Sequence, residues 1–185
     1  KKGAEIVLLE SSEAGLDPIV HVSSVSAVLS PIKGSHVTHD SAPTPVQIGS
    51  YVNSKTNQEI IARDLQSRGA PIVITYPGAV MGPHDPHWGD NSNFIRFVIK
   101  RNLLPAIQGS LPIVDVRDIA HLHSALMNPG QGPRRLMFSG TSVTLSELAS
   151  LFSRLTGRQI RCVTVPTWPI SLAINLTDIL QEILR

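Results

Sequence analysis

Apolar residues fall along the chain in two alternating patterns. Short unbroken apolar runs take turns with longer stretches in which apolar positions recur at helical spacing. Ala4 to Ala14, with Ile6, Val7, Leu8 and Leu9, is predicted as a helix that stops at Gly15, where a left-handed residue is wanted. Pro18 to Val22 follows as a short strand ending at Ser23-Ser24. It is mostly apolar instead of alternating, the mark of a strand covered on both faces. Ser30 to Gly49 is polar and proline-rich and is expected to be a surface loop. Tyr51 to Arg68 carries Ile60, Ile61 and Leu65 at helical spacing, has no Gly or Pro inside, and ends at Gly69. Pro71 to Tyr76 is a second buried strand, broken by Pro77-Gly78.

A loop rich in Gly and Pro then runs to Asp90, ahead of a helix over Asn93 to Arg101. Pro112 to Asp115 is predicted as a strand, Val116 to Met127 as a helix, and Arg135 to Phe138 as a third core strand. Thr144 and Glu147 form a T-x-x-E capping box, opening a helix that ends at Gly157. Ile160 to Val165 is a last strand and Ile170 to Arg185 a closing helix. No internal repeat is present. This alternation predicts an α/β domain with a largely parallel, doubly wound sheet that is entered midway. Ligands in such sheets sit beyond the carboxyl ends of the strands. Ser23-Ser24 and Pro77-Gly78 both fall at such ends.

Composition narrows the classes. With 185 residues, 42% hydrophobic and 16% charged, the chain is expected to fold. A net charge of +2 does not suggest a nucleic-acid surface, and the doublet Arg134-Arg135 reads as a solvated loop edge. Cys162 is the sole cysteine, which excludes an internal disulfide and a thiolate zinc site and favours a reducing, cytoplasmic setting. Lys1-Lys2 is followed by no small-residue cleavage pattern, so a signal peptide is not expected. Pro166, Pro169 and Asp178 spoil the C-terminal apolar run as a membrane span.

The candidate chemistry centres on Tyr51 and Lys55, four apart on one helix and so on one face. An ammonium beside a phenol favours the phenolate and lowers its pKa from about 10 toward neutrality, which suits proton transfer to or from a substrate oxygen. A surface Tyr lying over a Lys stem is the bland alternative for the pair alone. His84-Asp85-Pro86-His87 with Asp90 has metal-ligand residue types, but its prolines argue against a metal site. His121 and His123 do not share a helix face and read as surface or packing residues. Ser24 lacks the G-x-S-x-G elbow of serine hydrolases.

Four segments in order, V-H-V-S-S-V-S-A-V (Val20 to Val28), Y-V-N-S-K (Tyr51 to Lys55), T-Y-P-G-A-V-M-G-P-H-D-P (Thr75 to Pro86) and V-D-V-R-D-I-A (Val114 to Ala120), carry a resemblance over essentially the whole chain. It resembles the extended short-chain dehydrogenase/reductases, the group of the NAD-dependent epimerase/dehydratases, and is similar to the dihydroflavonol reductase and 3β-hydroxysteroid dehydrogenase branch. The resemblance implies Ser24, Tyr51 and Lys55 as catalytic residues, with Ser23 the lesser candidate. Ser24 would bind the substrate oxygen, Tyr51 would be the general acid/base, and Lys55 would lower the Tyr51 pKa and bind the nicotinamide ribose. Pro77, Gly78, Ala79 and Val80 would meet the nicotinamide, so that Tyr51, Lys55 and residues 77–80 form the cofactor side for NAD or NADP.

The Gly-rich turn that lets amides approach a pyrophosphate does not occur; Gly130-Gln131-Gly132-Pro133 precedes a strand and fails on context. By resemblance, the chain starts at the helix before the family's fifth strand. The expectation is therefore a partial Rossmann-like domain over 1–82 and 112–140, with a substrate-binding α/β region over 83–111 and 141–185. On this reading the parent is an NAD(P)-dependent oxidoreductase or epimerase/dehydratase acting at a secondary alcohol or ketone. The alternative is a truncated, non-catalytic piece that holds no dinucleotide tightly. An edge strand at Ile19 to Val22 without its neighbour would favour poor solubility or self-association into a homo-oligomer. The expected partner is a small molecule, bulky or partly apolar, near Phe94, Phe97, Leu103, Leu104, Trp168 and Ile170; core packing accounts for the same residues equally well.

Overall fold

The computed structural model describes residues 2–30, 32, 34–45, 49–107 and 109–165. The predicted closing helix, with Trp168 and Ile170, lies outside the described residues. The chain divides into two compact units, Lys1–Gly78 with Arg117–Ser139, and Ala79–Val116 with Gly140–Arg185.

The first unit is built on a fully parallel sheet of order β1-β2-β6, formed by β1 (Ile19–Val22), β2 (Ile72–Pro77) and β6 (Arg134–Phe138). Every residue of β2 is buried, as its unbroken apolar run predicts for a central strand. Strand alternation sends Ile72, Ile74 and Tyr76 to one face. There they join Leu8 of α1 (Lys2–Glu13) and Ala62 and Leu65 of α2 (Gly49–Ser67) in a single core. Thr75 points the other way and meets His123 Nε2 of α4 (Val116–Leu126) at 3.1 Å. Of the α1 apolar run, Leu8 is buried while Ile6, Val7 and Leu9 are exposed.

One expectation for this unit is corrected. The doublet Arg134-Arg135 is not a solvated loop edge: it begins β6, the strand expected from Arg135, and Arg135 pairs with Asp40 at 3.1 Å. Between Ser24 and the long loop, Val25–Val28 form a 3-10 turn packed on α2, with Ala27 and Val28 buried.

The second unit holds a mixed sheet, β3 (Ala79–Met81) parallel to β5 (Ser110–Asp115), and β5 antiparallel to β7 (Thr141–Thr144). A separate parallel pair joins β4 (Leu103–Ala106) to β8 (Arg161–Thr164). The sequence reading missed β3, β4 and β7. Each is three or four residues long, too short for a period to emerge, and β4 carries Pro105, a residue that strand interiors disfavour. Val98 of α3 (Asp90–Arg101), Leu104, and Leu148, Ala149 and Phe152 of α5 (Leu145–Thr156) form the core of this unit. The predicted capping box is present: Thr144 Oγ1 accepts from the Glu147 amide, and the Thr144 amide donates to Glu147 Oε2. Gly157 closes α5 in the left-handed region at φ 67°.

Candidate active site

The carboxyl ends of β1 and β2 carry Ser23-Ser24 and Pro77-Gly78, and α2 packs beside them. A strand sends successive side chains to opposite faces, so the two serines part ways. Ser23 turns inward and donates its hydroxyl to Glu59 Oε2 at 2.7 Å. Ser24 takes the N-cap position of the 3-10 turn, and its Oγ accepts from the Ser26 amide at 3.2 Å and the Ser26 hydroxyl at 2.9 Å. With both lone pairs engaged, the Ser24 O–H proton is left as its donor.

Lys55 leans toward the same strand end. Its Nζ donates to the Val22 carbonyl oxygen at 3.1 Å. Tyr51 stands one turn earlier on α2 and is 59% exposed, so its phenol faces solvent and is open to a ligand. Lys55 is thereby tied to the strand that leads into Ser24, with Tyr51 on the adjoining turn of its own helix. Pro77 ends β2, and Ala79 and Val80 pass into β3, where they pair with Ile113 and Val114.

Beneath these groups lies a network that the sequence reading did not single out. Glu59, four residues past Lys55, is fully buried. Its Oε1 accepts from Arg63 Nε at 2.6 Å and from the Tyr76 hydroxyl at 2.5 Å. Arg63 in turn donates to the Ser41 carbonyl at 2.9 Å and to the Tyr76 oxygen at 3.0 Å. Burial, then the bond to Glu59, push the Tyr76 phenol far above its ordinary range. His21, on the same strand face as Ser23, is also buried, and its Nε2 has no hydrogen-bond partner among the described residues. Burial holds its pKa below the usual imidazole value, with Glu59 pulling upward and Lys55 downward. The available signal was the spacing: Tyr51, Lys55, Glu59 and Arg63 step along α2 every four residues. Each step turns about 40°, carrying the row from solvent into the interior.

In the second unit, Asp85 organises the loop before α3. Its oxygens accept from the Ser92 hydroxyl at 2.5 Å, the Gly89 amide at 2.9 Å and the His87 amide at 3.2 Å. The Ser92 bond, then the Gly89 amide, hold its carboxyl below the usual range. A cleft of about 520 Å³ opens along α3, walled by Trp88, Ile95 and Ile99 and ringed by Arg96, Lys100 and Arg158. Arg96 lies over the Trp88 ring at 5.4 Å. Of the apolar residues expected near a substrate, Leu104 is instead fully buried in the core and Phe94 packs against it, while Phe97 is exposed. No helix among the described residues is long and apolar enough to cross a membrane.

Comparison with known proteins bears on this arrangement. Residues 3–117 match the profile of an NAD-binding family described as male sterility protein. A putative dihydroflavonol 4-reductase of Synechocystis sp. is 28% identical over 179 residues, spanning 92% of this chain and 52% of that protein. Sterol demethylase protein B of Methylococcus capsulatus is 24% identical over 165 residues, spanning 89% of this chain and 50% of its own length. The chain thus spans about half the length of the curated relatives it matches. Among solved structures, dTDP-glucose 4,6-dehydratase from Bacillus anthracis, in complex with NAD, superposes with a TM-score of 0.71 at 17% identity, covering 89% of this chain and 55% of that one. The Bordetella bronchiseptica enzyme WbmG, in complex with NAD and UDP, gives 0.70 at 19% identity, with 89% and 52% covered. These structural likenesses establish the fold.

Proposed function

Because the chain belongs to the NAD-binding family described as male sterility protein, within the extended short-chain dehydrogenase/reductases, we propose that the whole protein is a nicotinamide-dependent oxidoreductase or epimerase/dehydratase. It acts at a secondary alcohol or ketone of a small molecule. The observation that carries this reading is the Lys55 bond to the Val22 carbonyl, which holds an ammonium beside the strand end leading to Ser24, one helical turn from an exposed phenol.

The donor set fits NAD or NADP. Lys55 has two further protons for ribose hydroxyls once one is given to Val22. Pro77, Gly78, Ala79 and Val80 follow the carboxyl end of β2, where such sheets bind ligands, and would meet the carboxamide with backbone groups. When bound, the nicotinamide supplies or accepts the hydride. Tyr51 delivers its phenolic proton to the substrate oxygen in reduction and takes it back in oxidation. Ser24 donates its free hydroxyl proton to that same oxygen and orients it. The Lys55 charge stabilises the phenolate that Tyr51 becomes.

For the substrate, one relative's name gives a dihydroflavonol and another's a sterol, and ketones built on those two ring systems are the substrates to try. The test uses the full-length protein with NADH or NADPH and both ketones, followed by nicotinamide absorbance. Tyr51→Phe should lower turnover by about 100-fold or more while leaving cofactor affinity nearly unchanged. Retained turnover removes Tyr51 from its role.

A further inference from the structure

We propose that Glu59 is a positioning residue: its buried carboxylate ties the ends of β1 and β2 to α2, and so holds Ser24, Lys55 and the Pro77-Gly78 turn in one arrangement. This rests on the reading of those groups as the nicotinamide side of the site.

A carboxylate withdrawn wholly from water is costly unless its oxygens are filled. At position 59 an apolar side chain would simply extend the buried face of Ala62 and Leu65. The core therefore does not call for an acid there. What the acid does is gather three donors from three elements. Ser23, on the strand end, reaches Oε2 across 36 residues of sequence. Tyr76, on β2, and Arg63, on α2, reach Oε1.

The sequence neighbours of these donors are the telling part. Ser23 immediately precedes Ser24, and Tyr76 immediately precedes Pro77. Glu59 itself lies one turn past Lys55 on α2, so the arms to Ser23 and Tyr76, and the hub itself, each lie within a turn or less of a residue assigned to the site. Arg63 carries the network on to the Ser41 carbonyl in the long loop between the turn and α2. Both Glu59 oxygens accept hydrogen bonds, and buried networks filled in this way rigidify what they join. Ser23 and Tyr76 are covalently joined to Ser24 and Pro77, so a backbone shift at either is passed on to its neighbour.

The experiment compares binding of NADH, NADPH and ADP to the full-length protein and its variants. ADP carries the adenosine and phosphates without the nicotinamide or its ribose. Glu59→Gln should weaken the tighter-binding dinucleotide about tenfold and leave ADP unchanged. Ser23→Ala, which cuts only the arm to β1, gives the same selective loss to a smaller degree and covers the case in which Glu59→Gln does not fold. A merely structural role would weaken ADP and dinucleotide together, or neither, and either result overturns the proposal. Lys55→Met separates the two levels. If it too leaves the dinucleotide-to-ADP ratio unchanged, or if the wild type binds no dinucleotide, the nicotinamide reading itself fails. If Lys55→Met shifts the ratio and the Glu59 and Ser23 variants do not, only the hub is refuted.

Discussion

The Lys55 ammonium donates to the Val22 carbonyl oxygen at 3.1 Å, joining residues 33 apart in sequence. This bond uses one proton of a side chain whose other two, among the described residues, are left for a ligand, and it fixes the amine beside the end of β1. A lysine that served only as a solvated surface charge would have no reason to be anchored there.

That anchorage separates catalysis from stability. Lys55→Met removes a single, largely solvent-accessible hydrogen bond, an effect of about 1 kcal/mol on folding. On the proposed mechanism, turnover in the full-length protein should nevertheless fall about 100-fold or more, because the Tyr51 phenolate would lose the charge that stabilises it. Thermal melts and steady-state rates measured side by side check this. A variant that melts early and keeps its rate would assign Lys55 to structure alone.

Gly140 is required by its surroundings as well as by its backbone. It sits at φ +76°, and a Cβ there would lie 2.0 Å from the Ile113 carbonyl oxygen. Neither group can move without breaking the β5–β7 pairing. Gly140→Ala should cost about 2 kcal/mol or more. Gly3, inside α1 with nothing within 4 Å of its would-be Cβ, is the matched control. Gly3→Ala should stabilise by about 0.5–1 kcal/mol. Denaturant unfolding of the two variants tests both signs at once.

His21 gives a pH dependence of defined direction. Its folded pKa is lowered from the usual 6.5 chiefly by burial. Above about 6.5 the ring is neutral in both states and its titration does not alter stability. As pH falls below about 6.5 the unfolded chain takes up a proton that the folded one resists, so stability declines through this window toward the lowered folded pKa. The slope from this one group is at most about 1.4 kcal/mol per pH unit. Melting curves between about pH 7 and pH 5.5 should show the decline in the wild type and a shallower one in His21→Phe. Identical slopes would clear His21 of responsibility.

Much of this was legible in the sequence, for physical reasons that differ by element. Ile72 to Tyr76 could be read as a central strand because burial on both faces leaves an unbroken apolar run. Tyr51 and Lys55 could be paired because four residues on a helix fix a shared face. Thr144 and Glu147 could be read as a cap because the interaction is local. Strands β3, β4 and β7 were missed because their pairing is set by partners distant in sequence, and three or four residues carry no period. Glu59 was missed for a related reason. A Glu on a helix is ordinarily solvated, even with Arg63 four residues on, and its burial depends also on Ser23 and Tyr76, which only the tertiary fold brings in. Arg135 likewise looked like a loop cation until Asp40 was placed opposite it.

The most direct measurement is a crystal structure of the full-length protein with NAD(P) and a ketone substrate or its alcohol product. The account predicts Lys55 Nζ on the nicotinamide ribose, with Ser24 Oγ and Tyr51 Oη both within about 3.2 Å of one substrate oxygen. A nicotinamide bound away from β1 and β2, or a Tyr51 phenol still turned to solvent with substrate in place, would contradict it.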